Sequence, residues 1–232
     1  DYSPMLVSRC ETPDNPELNE FFFQSGILDH VKTDIQKECT NGKMIGHFQR
    51  KKVMHSISKE ATKSIVAHTL WEEFLSGSKI YRWLHPIFIE CMANTENHAW
   101  PKYNWWLFYY KEPETKISKI CFMDMGIGIF NSLNGRVERF AASFAKFLGI
   151  EHNKDKMRQI IDGELEIPTR TGERKRGKWL RAMYDFAQRS EVKDFTIISN
   201  DVYYNFDTGE NMTLSNPLDG TFIYWELHPN NS

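Results

Sequence analysis

The chain has 232 residues, and 29 Lys and Arg stand against 31 Asp and Glu, so its formal net charge is −2. With 41% hydrophobic and 14% aromatic residues it can bury a core without disulfide or metal support, which excludes disordered, collagen-like and coiled-coil proteins. The balanced charge does not indicate nucleic-acid binding, because such binding needs several Lys and Arg acting together on phosphates.

The distribution of cysteines and apolar residues predicts the compartment. The four cysteines are scattered and form no C-x-x-C pair, which is typical of reduced thiols. The longest apolar stretches, at 83–89 and 105–110, are far shorter than the roughly 20 residues that cross a bilayer, and no signal peptide is recognisable. We therefore expect a cytoplasmic protein without a membrane partner.

The first quarter of the chain differs from the rest. Prolines and glycines interrupt residues 1–50, so we expect an N-terminal extension or the remnant of a preceding domain, followed by one domain over residues 51–232. From Ser58 the apolar spacing predicts a helix that ends at Gly77. A second helix should end near His98, with Pro86 in its first turn.

The middle of the chain alternates between strand and helix patterns. Residues 104–110 and 116–124 predict a hairpin around a Pro-containing turn. The spacing of apolar residues over 137–148 predicts an amphipathic helix. Residues 150–176 form a polar excursion with one short helical piece near 157–161, and a long excursion of this kind is typical of a functional lid.

The last part of the chain is rich in strands. Trp179–Ala187 predicts a helix, and short strands are expected at Phe195–Ser199, Val202–Phe206 and Thr221–His228, with a turn at 207–210. Helices cluster early and strands cluster late. The fold class expected is therefore α+β, with helices on one face of a mixed, mostly antiparallel sheet.

One polar face of the second predicted helix could carry chemistry. Glu90, Asn94, Asn97 and His98 stand at i, i+4, i+7 and i+8, so they share an arc of about 100°. Apolar residues fill much of the opposite side of this helix. The pattern presents a carboxylate, two amides and an imidazole together.

Three further motifs follow along the chain. Asp124, at the end of an apolar strand, begins a D-x-G-x-G motif with Gly126 and Gly128, which offers an acceptor beside backbone that a flat ligand can approach. A basic segment precedes the helix that begins near Trp179, and it suits polyphosphate. It consists of Arg174, Lys175, Arg176, Gly177 and Lys178. Thr221 follows Gly220 at the start of the last strand.

The order of these motifs resembles the ATP-binding domain of the GHKL superfamily, which includes gyrase, heat-shock chaperone, mismatch-repair and histidine-kinase ATP sites. The resemblance covers about residues 80–228 and implies a two-layer α/β sandwich, the Bergerat fold. It implies that ATP and Mg²⁺ bind, with Asn94 as the Mg²⁺ ligand and Glu90 as the group that activates the attacking water. Asp124 would accept a hydrogen bond from the adenine amino group, supported by Thr221 and flanked by Gly126 and Gly128.

The same resemblance implies that Asn97 and His98 line the nucleotide pocket. A lid over residues 131–178 would close on the phosphates, with its cations meeting their charge and Gly177 as its hinge. The domain would then hydrolyse ATP slowly and switch the conformation of a larger assembly, through a protein partner or a homodimer.

Two alternatives remain open from the sequence. A protein kinase of the anti-sigma or histidine-kinase type would use the same site, although the chain shows no His-Glu-x-x-x-Pro phosphoacceptor motif. A degenerate nucleotide-binding scaffold for protein interaction would explain why the basic segment at 174–178 contains so little glycine.

Overall fold

A computed structural model describes residue 16 and residues 42–47, 52–69, 81–98, 104–131, 153–162 and 179–229. The helices are α1 (His55–Thr69), α2 (Tyr81–His98), α3 (Asn153–Ile161) and α4 (Trp179–Ala187). The strands are β1 (Gly42–His47), β2 (Trp105–Lys111), β3 (Ser118–Asp124), β4 (Val192–Asn205) and β5 (Asn211–Leu227). The predicted α+β class is confirmed.

The strands form a single sheet in the order β1-β2-β3-β5-β4, and every pairing among them is antiparallel. The predicted hairpin is confirmed as β2 and β3, in a register that places Trp105 opposite Asp124. On the other side of β3, Asp124 lies opposite Thr221 of β5. β1 lies before residue 51, where the sequence analysis placed the start of the domain, and it belongs to the same sheet.

One face of the sheet is buried, because alternate residues of β2, β3 and β5 point to the same side. Trp225 of β5 is fully buried there, and its ring contacts Phe88 of α2 and Phe186 of α4, each with ring centroids 5.7 Å apart. α1 reaches the same face through a 2.7 Å hydrogen bond between the Thr69 and Ser118 hydroxyls. These contacts bring α1, α2 and α4 to one side of the sheet.

The two early helices differ in detail from their predictions. α1 begins at His55, three residues before Ser58, and the predicted end at Gly77 lies outside the described residues. α2 ends at His98 as expected, but Pro86 is its sixth residue and lies in the second turn. Pro86 is exposed, so water can reach the carbonyl that a proline cannot bond.

The late strands are longer than predicted. Phe195–Ser199 and Val202–Phe206 were expected as separate strands, but β4 runs through both, with irregular register on either side of Asn200. The interruption lies in the pairing and not in β4 itself: Ser199 lies opposite Thr221 and Val202 lies opposite Thr213, so the extra residues of this β-bulge belong to β5. β5 begins at Asn211 and not at Thr221, and the predicted turn between β4 and β5 is confirmed.

The polar excursion contains the expected short helix, which is α3. The amphipathic helix predicted over 137–148 and most of the predicted lid lie outside the described residues.

Candidate functional site

The end of β3 carries a buried carboxylate. Asp124 is only 3% exposed, and its Oδ1 accepts a 2.9 Å hydrogen bond from the backbone N–H of Gly126. Thr221 of β5 lies opposite Asp124, and its N–H and hydroxyl help to keep the carboxyl ionised. Polar groups of two elements therefore surround a side chain that has lost nearly all of its water.

Burial raises the pKa of Asp124 to about 6, although the hydrogen bonds from Gly126 and Thr221 partly oppose the rise. Desolvation disfavours the charged form, whereas donors favour it. An ionised carboxylate has about four acceptor positions, so Asp124 can accept further hydrogen bonds beside the one from Gly126.

The two glycines after Asp124 are both buried. Gly128 has a φ of +79°, in the left-handed region that favours glycine, and residues 129–131 are helical. The D-x-G-x-G segment therefore forms a compact loop that brings its backbone close to the carboxylate.

Two residues of β4 support this loop, and the sequence analysis missed both. Ser199 Oγ accepts a 2.8 Å hydrogen bond from the backbone N–H of Ile129. Asn200 Oδ1 accepts from the N–H groups of Phe130 and Asn131 at 3.0 and 3.1 Å, and its Nδ2 donates to the Ile127 carbonyl at 2.9 Å. The sequence offered only a weak indication, a Ser-Asn pair in the middle of a strand pattern.

Thr221 and Gly220 complete the other side of the carboxylate. Thr221 is 2% exposed, and its hydroxyl lies 3.1 Å from that of Ser199. Gly220 has a φ of +125°, and a Cβ there would lie 2.0 Å from the Asp124 carbonyl oxygen. The structure thus places Asp124, Gly126, Gly128 and Thr221 around the end of β3.

The polar face of α2 begins at Glu90, one residue before the buried Cys91. Glu90 is exposed, Asn94 is half-buried, and partial burial raises the pKa of Glu90. Burial chiefly raises the pKa of the Cys91 thiol, and the charges of Glu90 and Asp124 raise it further. Asp124 therefore lies within electrostatic range of the Cys91 thiol, on the buried side of the helix turn that carries Glu90.

The remaining predicted site residues are less fully defined. Asn97 and His98 lie in the last turn of α2, and their side chains lie outside the described part of the chain. Arg174, Lys175, Arg176, Gly177 and Lys178 also lie outside it. Within the described ranges no cluster of three or more His, Cys, Asp or Glu could hold a metal ion. An Mg²⁺ ligand set of one amide oxygen, waters and phosphates does not require such a cluster.

No model of a known protein family matches the chain. A UPF0754 membrane protein of Bacillus cereus (strain AH187) is 25% identical over 181 residues, which cover 70% of this chain and 48% of that protein. A UPF0754 membrane protein of Bacillus cereus (strain Q1) is 24% identical over 181 residues with the same coverage. The chain therefore spans about half the length of the curated relatives it matches.

This similarity contradicts the predicted cytoplasmic localisation, because both relatives are named membrane proteins. No helix in the described ranges is both long and apolar enough to cross a membrane. The sequence argument was wrong because it rested on the lack of long apolar runs, and such a lack does not address how a protein associates with a membrane.

Proposed function

We propose that this chain is an Mg²⁺-dependent ATP-binding domain of the GHKL type, in which the helices and the sheet form the two layers of a Bergerat fold. The observation that carries the proposal is the buried carboxylate of Asp124. A fold gains nothing in stability from a desolvated charge, so such a group in a loop of buried glycines points to a ligand. A further acceptor position on this carboxylate matches the amino group of adenine.

The surroundings of Asp124 favour a flat base. Gly126 carries no Cβ, so a planar ring can approach the loop backbone closely there, whereas the space beside Gly128 is filled by the Asn200 amide. The bond from the Gly126 N–H and the position of Thr221 opposite Asp124 orient the carboxylate toward the base. A guanine ring would present a carbonyl oxygen to this carboxylate, and two acceptors would face one another. Adenine is therefore the preferred base.

The residues of α2 would meet the phosphate end of the nucleotide. The Asn94 side-chain oxygen is a ligand type that Mg²⁺ accepts beside waters and phosphates, and the bound ion would neutralise phosphate charge. Glu90 would accept a proton from the attacking water, and its raised pKa brings this carboxylate closer to neutral pH. Asn97 and His98 would line the pocket one turn further along.

Hydrolysis in such a site would be slow and coupled to closure of the segment between residues 131 and 178, where Arg174, Lys175, Arg176 and Lys178 would contact the phosphates. The nucleotide would then act as a conformational switch for a partner protein or a second copy of the domain.

The test is calorimetric titration of a non-hydrolysable ATP analogue, with and without Mg²⁺, into the wild-type chain and the Asp124→Asn variant. Asparagine presents an amide N–H where the base needs an acceptor, so we expect at least a tenfold loss of affinity, or about 1.4 kcal/mol. The matched control is Asp185→Asn, because Asp185 is exposed on α4 and pairs only with Arg181 at 3.2 Å among the interactions described.

Equal affinity in the wild type and Asp124→Asn would refute the assignment of the base site. No binding by the wild type at sub-millimolar analogue would favour the degenerate scaffold. Where binding occurs, labelled γ-phosphate separates the two catalytic alternatives, because it ends in solution in an ATPase and on a protein in a kinase.

A further inference from the structure

The loop after β3 is attached to a strand about 70 residues away in sequence. Three consecutive backbone N–H groups, those of Ile129, Phe130 and Asn131, donate to the side chains of Ser199 and Asn200. The first N–H groups of a helix have no partner within the helix, and a local Ser, Asn or Asp usually caps them. Here the caps come from β4.

The backbone conformation of Asn200 allows its side chain to cap the loop. Its φ is +53°, a conformation that Asn tolerates better than most residues, and the register of β4 with β5 shifts on both sides of it. The side chain is thereby aimed at the loop. A Cβ on Gly128 would lie 2.4 Å from Asn200 Oδ1, so the loop and the amide are in close contact.

Ser199 connects this cap to the carboxylate. Its hydroxyl donates to the Gly220 carbonyl at 3.0 Å and lies 3.1 Å from the hydroxyl of Thr221, the residue opposite Asp124. Ser199 therefore joins the loop to the strand residues beside the acceptor for the base, and Asn200 fixes the rest of the loop.

We infer that Asn200 is a positioning residue for the base of the nucleotide, since it holds the 125–131 loop against Asp124 before the ligand arrives. The inference rests on the proposed function. A loop ordered in advance costs less to order on binding, which raises affinity. The three N–H groups that Ser199 and Asn200 occupy are not available to phosphates, so the loop serves the base end of the ligand.

The test is the Asn200→Gly variant, titrated with adenosine and with the ATP analogue. Glycine adopts a φ of +53° without strain, so this change removes the three hydrogen bonds and leaves the backbone conformation accessible. We expect the affinity for both ligands to fall about tenfold, with the effect of Mg²⁺ on analogue binding unchanged.

Asn205→Gly is the matched control. Asn205 lies on the same strand and is similarly buried, and its Oδ1 accepts from the N–H groups of Asp207 and Thr208 while its Nδ2 donates to Thr196. It thus makes a comparable set of bonds, with one more from the Thr208 hydroxyl, at the end of the strand and away from the loop after β3. We expect this variant to lose stability but to bind both ligands within threefold of the wild type.

Asn200→Asp keeps the two acceptor bonds, and its carboxyl can donate to the Ile127 carbonyl only when protonated, so at acidic pH it serves if Asn200→Gly does not fold. We expect it to fold and to bind adenosine about threefold to tenfold more weakly. Wild-type affinity for adenosine in a folded Asn200 variant would overturn the inference, as would a loss confined to the Mg²⁺-bound analogue. If the wild type binds neither ligand, the proposed function fails and not merely the role of Asn200.

Discussion

Asp124 shows how one residue can oppose the stability of the fold that surrounds it. Its carboxylate is 3% exposed, and burial raises its pKa from an ordinary value near 4 to about 6. A difference of this size between the folded and unfolded states corresponds to about 3 kcal/mol. The ionised side chain therefore destabilises the folded chain at neutral pH.

The direction of the pH dependence follows from this pKa. The folded state binds the proton more tightly than the unfolded state, so the free energy of unfolding falls as the pH rises from about 4 to about 6. We expect the wild type to lose about 2–3 kcal/mol relative to Asp124→Asn between pH 4 and pH 7. Urea unfolding of both proteins across this range measures the difference, and a difference that does not vary with pH would contradict the prediction.

The residues of the site were predictable from the sequence to different degrees. Asp124, Gly126 and Gly128 are close together in the chain, so their motif can be recognised without knowledge of the fold. Ser199 and Asn200 were missed because their function depends on contacts with residues about 70 positions earlier. No local pattern encodes a hydrogen bond of that separation.

At the scale of the strands, β3 and β5 approach closely where the site begins. Gly220 has a φ of +125°, and a Cβ there would lie 2.0 Å from the Asp124 carbonyl oxygen, which belongs to the backbone and cannot turn aside. This approach places Thr221 opposite Asp124. The close pairing of β3 with β5 therefore requires a glycine at position 220.

Gly220→Ala should be strongly destabilising, by about 3 kcal/mol or more, because backbone strain adds to a steric clash. Gly209→Ala separates the two causes, since Gly209 also has a positive φ of +70° but a Cβ there would meet no atom within 4 Å. We expect that control to cost only about 1 kcal/mol. Denaturant unfolding of the two variants measures both values, and equal losses would show that the close approach has no energetic consequence.

The length of β4 also shows what an element-level prediction lacks. The sequence shows two apolar runs around Asn200, and a polar interruption of this kind usually ends a strand. The strand continues because pairing with β5 resumes beyond the bulge, where Val202 lies opposite Thr213. Only the partner strand could have revealed this, because it supplies the hydrogen bonds that make the interruption tolerable.

At the scale of the whole molecule, the sheet and α2 meet at the site. The α+β class, the β2–β3 hairpin and the short helix α3 follow from local periodicity, and the sequence predicted them. The strand order β1-β2-β3-β5-β4 does not follow from it, because tertiary packing decides which strands become neighbours. The antiparallel pairing of β3 with β5 is nevertheless what brings Thr221 to Asp124.

A ligand held between the sheet and α2 should stabilise the molecule as a whole. At 100 times its dissociation constant a ligand stabilises the folded state by about 2.7 kcal/mol, which raises the Tm of a domain of this size by roughly 5–10 °C. We expect Mg²⁺ and the ATP analogue to produce this rise in both the wild type and Glu90→Ala. Glu90 is exposed, and its proposed role is to accept a proton from the attacking water. Its loss should therefore abolish turnover of ATP and leave binding intact.

The control is Glu96→Ala, which removes a carboxylate from the same helix, about 120° around the helix axis from Glu90. This variant should keep both the rise in Tm and phosphate release. Thermal melts and a phosphate-release assay on the three proteins separate the roles of the two carboxylates. Persistent hydrolysis in Glu90→Ala would assign water activation to another group, whereas a lost rise in Tm would place Glu90 in binding. Because Glu90 and Asp124 act on opposite ends of one ligand, Asp124→Asn should instead reduce the thermal shift, to about half for a tenfold loss of affinity.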